Sequence, residues 1–173
     1  MYYDMDMNLA PHQMHPMELI SQGKGNTNLI SGYTSSSIGI SEQVTLNVGV
    51  NAQVLTLNNS WALEPRAGIK WQFSPKSSFA LAYGVHSRME KMDVYFVKTQ
   101  GTGDRSVNKD LGFTRAHHVM LSYGFKISDN MNMKIEPYFQ QLYDVPVIAD
   151  SSYSVLNRRD FYVENVLVNR GKG

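Results

Sequence analysis

The chain has 173 residues, enough for one ordinary domain with a core of its own. Lys+Arg total 16 against 15 Asp+Glu, and the formal charge of +1 gives no pull towards nucleic acid or anionic lipid. There is no cysteine, so disulfides, zinc–thiolate sites and Cys nucleophiles are absent; the mean hydropathy is −0.32 and no apolar run is long enough for a transmembrane helix.

Residues 1–28 read as an irregular loop segment, with Pro11, Pro16, Gly23 and Gly25 among Asn and Gln. His12-Gln13-Met14-His15-Pro16-Met17 carries imidazole and thioether groups, both copper or zinc ligand types. The spacing is not one that a helix or strand enforces, so the plain reading is a loop containing Met and His, and no metal site is assigned. The first residues, Met1-Tyr2-Tyr3-Asp4-Met5-Asp6, have neither the basic nor the apolar segment of a signal peptide.

Leu29–Ile40 reads as a weaker strand, with Ser36, Ile38 and Ile40 on one face. In the next, Val44–Leu57, Val44, Leu46, Val48 and Val50 alternate with Thr45, Asn47, Gly49 and Asn51. Its phase blurs at Val54-Leu55-Thr56-Leu57, where a bulge is expected. Asn58-Asn59-Ser60 is a turn by composition.

Trp61–Val85 is the centre of the pattern. Trp61, Leu63, Pro65, Ala67, Ile69, Trp71 and Phe73 take one face of a strand, and Ala62, Glu64, Arg66, Gly68, Lys70 and Gln72 the other. After Ser74-Pro75-Lys76-Ser77, Phe79, Leu81, Tyr83 and Val85 alternate with Ser78, Ala80, Ala82, Gly84 and His86. Beyond Arg88 the alternation fails. Asp93–Lys98 is expected to form a short strand, and Gly101–Ser106 a loop tip. Alternation returns with Val119, Leu121, Tyr123, Phe125 and Ile127. Ser128-Asp129-Asn130 turns the chain into Met131–Phe139. Asp144–Asp160 is irregular, and Phe161–Val168 is expected to begin another strand.

Three segments share one design: Ile40-Ser41-Glu42-Gln43-Val44-Thr45-Leu46, Phe73-Ser74-Pro75-Lys76-Ser77-Ser78-Phe79 and Ile127-Ser128-Asp129-Asn130-Met131-Asn132-Met133. Each has an apolar residue, a serine, a turn pair and an apolar start to the next strand. Three such turns imply one end of an up-and-down antiparallel meander, with long connections after Arg88 and Tyr143 at the other end. Long strands, an apolar face with aromatics towards its ends, and short turns opposite long loops predict an all-β fold forming part of a transmembrane β-barrel. The alternative is a soluble meander, which buries one face on a core. Lys and Arg on the polar face belong in a wet lumen, since at the lipid midplane each costs about 2–4 kcal/mol. Pro65 and Pro137 sit inside strands and are expected near a rim or at bulges.

Several of these segments resemble TonB-dependent outer-membrane receptors, in particular those carrying a carboxypeptidase-regulatory-like domain and a plug. The resemblance lies in Leu57-Asn58-Asn59-Ser60-Trp61-Ala62-Leu63-Glu64-Pro65-Arg66 with Gly68-Ile69-Lys70-Trp71, and in Tyr83-Gly84-Val85-His86-Ser87. It continues through Asn108-Lys109-Asp110-Leu111-Gly112-Phe113, Ala116-His117-His118-Val119-Met120-Leu121-Ser122-Tyr123 and Tyr138–Val147. Leu167–Gly173 is similar to the run leading into a further barrel strand. The resemblance implies a partial barrel over residues 29–173, about six to seven strands of a wall of about 22. It implies a bacterial outer-membrane location, lipid around the wall, and contact with the TonB protein through a plug region that these residues do not contain. The expected function is energised uptake of a scarce ligand such as a siderophore, vitamin, glycan or peptide. A chain without signal peptide, plug or closing strand is expected to be a piece of such a receptor. The alternative is a passive porin or structural barrel protein.

Ligand contacts are expected from loop tips and the upper lumen, with Tyr95, Phe96, Arg105 and Tyr153 as candidates. No cofactor and no nucleic-acid partner is expected. Glu64, Arg66, His86 and the pair His117-His118 raise the question of acid–base chemistry. Adjacent strand residues point to opposite faces, so His117 and His118 cannot act together. With no Ser–His–Asp spacing, phosphate-binding glycine loop or HExxH-type motif, no enzymatic activity and no catalytic residue is assigned.

Overall fold

Alternation at period two builds the centre of the molecule. The computed structural model describes residues 1–9, 16–98, 106–149, 151, 153–157 and 165–173. Strands β1 (Tyr2–Leu9) and β2 (Glu18–Asn26) form an antiparallel hairpin. A meander follows: β3 (Leu29–Gly39), β4 (Val44–Leu55), β5 (Ser60–Ser74), β6 (Ser77–Arg88) and β7 (Thr114–Ser128). Each pairs antiparallel with the next. Strands β8 (Met131–Ile135) and β9 (Tyr138–Tyr143) both pair with β7 and form the far edge. A single helical turn, α1 (Met92–Tyr95), lies in the β6–β7 connection. Beyond β9, β10 (Val145–Ile148) pairs with β11 (Leu167–Gly171). The fold is an all-β antiparallel meander, an open sheet whose described strands do not close into a ring.

The repeated turns fall together at one end: residues 40–43, Pro75-Lys76 and Asp129-Asn130. The shared serine has a local job in two of them. Ser41 Oγ accepts the backbone N–H groups of Gln43 and Val44, and Ser74 Oγ accepts that of Lys76. At the opposite end, Thr56–Asn59 joins β4 to β5. Asn59 has φ +57°, a left-handed conformation that asparagine tolerates better than most residues.

The two prolines are accommodated differently. Pro137 lies in the gap between β8 and β9, and both strands keep one continuous register against β7 across it. Its carbonyl accepts the Leu121 N–H at 3.0 Å, so a single rung loses a bond. Pro65 sits inside the sheet. The β4 ladder runs past it unbroken through Val50↔Pro65, whereas the β5–β6 ladder stops at Arg66↔Gly84. The missing N–H therefore falls on the β6 side, and β5 and β6 part above that point.

Four expectations need correction. Residues 1–28 are not an irregular loop, because β1 and β2 occupy much of the segment; Tyr3, Met5 and Met7 are half-buried and alternate with exposed Tyr2, Asp4 and Asp6. Asp93–Lys98 is not a strand: it is α1 followed by an isolated bridge from Val97 to Ser21. No bulge interrupts β4, which runs to Leu55 in unbroken register with both neighbours. The alternation blurs there because Leu55, on the polar face, is fully buried beneath the loop core. Asp144–Asp160 is not wholly irregular, since it contains β10 and a 3₁₀ turn at Val155–Asn157.

The sheet itself has no core. Accessible surface totals 11711 Å², against about 8,600 Å² for a compact protein of this mass. The apolar face is left uncovered: Trp61 is 65% exposed, Trp71 49%, Leu81 41% and Leu121 40%. The buried cluster lies instead at the long-loop end. Val94, Tyr95, Phe96 and Val97 from the β6–β7 connection pack with Leu55, Ala62, Leu111, Phe113 and Leu167. The β1–β2 hairpin docks there too. Tyr3 meets Phe96 at 4.7 Å between ring centroids, and Lys98 N–H donates to Ile20 O at 2.7 Å.

Candidate functional site: the concave polar face

The polar residues of β3 to β7 and the edge strand gather on one concave face around a space of about 1100 Å³. Its floor is made of small residues, Gly49, Gly68, Ala82 and Gly84, and its walls carry Tyr33, Asn47, Asn51, Arg66, His86, His118, Glu136 and Tyr138. The buried loop cluster borders this face at its upper end through Leu55 and Ala62.

Glu64 is the key residue beneath the upper end, only 3% exposed. It stands one residue before Pro65, where the β5–β6 ladder has stopped. Its Oε1 accepts the Ser87 backbone N–H at 2.8 Å, Ser87 Oγ–H at 2.6 Å and Gln53 Nε2 at 2.8 Å. Its Oε2 accepts Asn51 Nδ2 at 3.1 Å and Arg66 Nη2 at 3.0 Å. Gln53 also donates to Ser87 O and Ser87 Oγ. A side chain thus replaces the rungs that the proline removes, and the buried charge is satisfied on both oxygens. From the same gap, Arg115 Nη2 donates to Trp61 O at 3.2 Å, and Arg115 Nη1 lies 3.8 Å from Asp144.

Arg66 is held by Glu64 at one end and half-exposed to the concavity at the other. The His86 and His118 rings cross edge to face beside it, 4.5 Å between centroids. His117 is on the opposite, apolar face, stacked between Tyr83 and Tyr143, with Tyr83 Oη 2.8 Å from its Nδ1. The two adjacent histidines are therefore separated by the sheet. Lys134 pairs with Glu136 at 2.7 Å, a second opposite-sign pair on the polar face.

The four candidate ligand residues are not gathered on this face. Tyr95 is fully buried and Phe96 is 6% exposed, both in the loop cluster, so each contributes packing rather than accessible surface. Burial pushes the Tyr95 phenol up to about 12, and its oxygen accepts the Glu90 N–H. Tyr153 is half-buried against the same cluster. Arg105 lies outside the described residues, as do His12 and His15. Among the described residues no three His, Asp or Glu side chains are grouped to hold a metal ion. Sequence reading singled out Glu64 and Arg66 but missed their partners Asn51, Gln53 and Ser87. The available signal was a glutamate immediately before a strand proline. Searches against family models, curated proteins and solved structures found no match to this chain.

Proposed function

We propose that this chain is wall and loop of a TonB-dependent outer-membrane receptor, a β-barrel segment serving energised uptake of a scarce ligand. The observation that carries the membrane part is the uncovered apolar face of the sheet. A soluble meander buries such a face, whereas a barrel turns it to lipid. Aromatics mark its two ends. Near the short turns are Trp71, Phe73, Tyr123 and Phe125, in contact with one another at 5.4 to 6.3 Å. Near the long loops are Trp61 and Tyr143. Trp61 and Trp71 are ten residues apart on one face, about 33 Å along the strand at ~3.3 Å per residue. A strand tilt of about 40° reduces this to about 25 Å, the height of a barrel's apolar band. The receptor part rests on the resemblance of β5, β6, β7 and β9 to that family.

Two measurements test the reading. In outer-membrane vesicles containing brominated lipid, Trp61 and Trp71 fluorescence is quenched; unquenched tryptophans would remove the membrane assignment. In cells, ligand uptake by the parent protein stops when the inner-membrane proton gradient is collapsed. Undiminished uptake would leave a passive barrel in place of an energised receptor.

A further inference from the structure

Arg66, His86 and His118 form one group of nitrogen donors on a face that elsewhere carries Asn, Ser, Gly and the Lys134–Glu136 pair. Gly84 lies beneath them. A Cβ at this buried glycine would stand 3.3 Å from Arg66 Cγ and 3.4 Å from His86 Nε2, so both side chains lie close against its bare backbone. Glu64 occupies one guanidinium nitrogen of Arg66 and points the half-exposed remainder at the concavity. Four of Glu64's five hydrogen bonds come from neutral donors, so the carboxylate does not depend on Arg66 alone. Glu136, the acidic residue lining the same space, is engaged by Lys134.

We infer that Arg66, flanked by His86 and His118, is a binding subsite for a carboxylate or phosphate group on the solute that enters this concavity, with Glu64 as its positioning residue. A guanidinium with free N–H donors suits an oxyanion, and two imidazoles can add hydrogen bonds to the same group. The inference rests on the polar face lining a lumen, the reading proposed for this sheet.

These 173 residues contain no cysteine, so each introduced thiol is the only one in this part of the wall. Ala82→Cys places a thiol on the polar face next to Gly84, and Leu81→Cys places one on the apolar face. Both variants of the parent protein are labelled in outer-membrane vesicles with negatively and positively charged methanethiosulfonates. If the face is a lumen, Ala82→Cys reacts and Leu81→Cys is shielded; reaction at Leu81→Cys would defeat the lumen reading itself. At Ala82→Cys the negative reagent is expected to react about fivefold faster than the positive one, as one nearby charge produces. Citrate and inorganic phosphate should each slow it at millimolar concentration, and the stronger of the two identifies the favoured group. Arg66→Gln should abolish the protection and reduce the preference to what Lys70, opposite Ala80 on the same face, leaves, while Arg66→Lys keeps the preference. An unchanged preference and protection in Arg66→Gln, with Leu81→Cys still shielded, would overturn the subsite and leave the wall intact.

Discussion

Removing the Glu64 carboxylate should loosen the upper half of β6 and nothing below it. In Glu64→Ala, Asn51 and the half-exposed Arg66 can turn to water, and Gln53 keeps Ser87 O and Ser87 Oγ as partners. The Ser87 N–H cannot be served in the same way, since its partner is the carboxylate and the ladder has already stopped at Gly84. A buried donor left unpaired costs about 1–3 kcal/mol, and each lost bond to a charged group about 1.5–3 kcal/mol. A net loss of about 3 kcal/mol is expected, which is roughly a 100-fold increase in local opening. Amide hydrogen exchange in detergent micelles or vesicles reads this directly. Residues 85–88 should exchange roughly 100-fold faster, while residues 79–83, whose rungs to β5 are intact, stay within about twofold. Adding Pro65→Val to Glu64→Ala restores an N–H on the β6 side and should recover part of the protection. If Ser87 exchange changes by less than about twofold in Glu64→Ala, the carboxylate is not what joins these strands.

Other outcomes follow from single contacts. The Tyr95 phenol is held neutral by burial, with its value raised from 10.0 to about 12 in the folded protein. The stability this contributes is complete below pH 10 and is lost as pH rises through about 12; Tyr95→Phe should abolish this alkaline loosening of the loop cluster, measured by protease cleavage of the β6–β7 connection. A Cβ on Gly23 would meet Phe96 Cδ1 at 2.5 Å, so Gly23→Ala should displace the β1–β2 hairpin at a cost of about 1–3 kcal/mol. Phe96→Leu in the same chain should restore part of the loss, measured by hydrogen exchange of β2. Leu81→Lys, between Ile69 and Leu121 on the apolar face, should cost up to about 2–4 kcal/mol in bilayer folding titrations, whereas Ala82→Lys is tolerated.

The meander was legible in the sequence because side chains alternate along most of each strand from β4 to β8. Val44 to Val50, Trp61 to Phe73 and Val119 to Ile127 each announce a strand and its two faces without tertiary information. The recurring serine marked the short turns for a local reason as well, since its hydroxyl caps nearby amides. The N-terminal hairpin was harder to see. Its apolar positions are Tyr3, Met5 and Met7, and the β1–β2 pairing that orders them is joined by contacts with Phe96 and Lys98. The same holds for α1, a four-residue helix within a segment rich in strand formers: Tyr95 and Phe96 are buried in the loop cluster, and tertiary packing overrides a weak local preference.

The sequence by itself determined which residues share a face, because pleat geometry allows no other answer. It could not say what each face meets. That Tyr95 and Phe96 are interior residues, that Leu55 lies under a loop core, and that Glu64 replaces the rungs lost at Pro65 all depend on contacts with distant residues. Glu64 reaches Ser87 across 23 positions, and Asn108 donates to Asn165 across 57. Local pattern carries no record of such partners; only the closure of the loops over the upper end of the sheet brings them together.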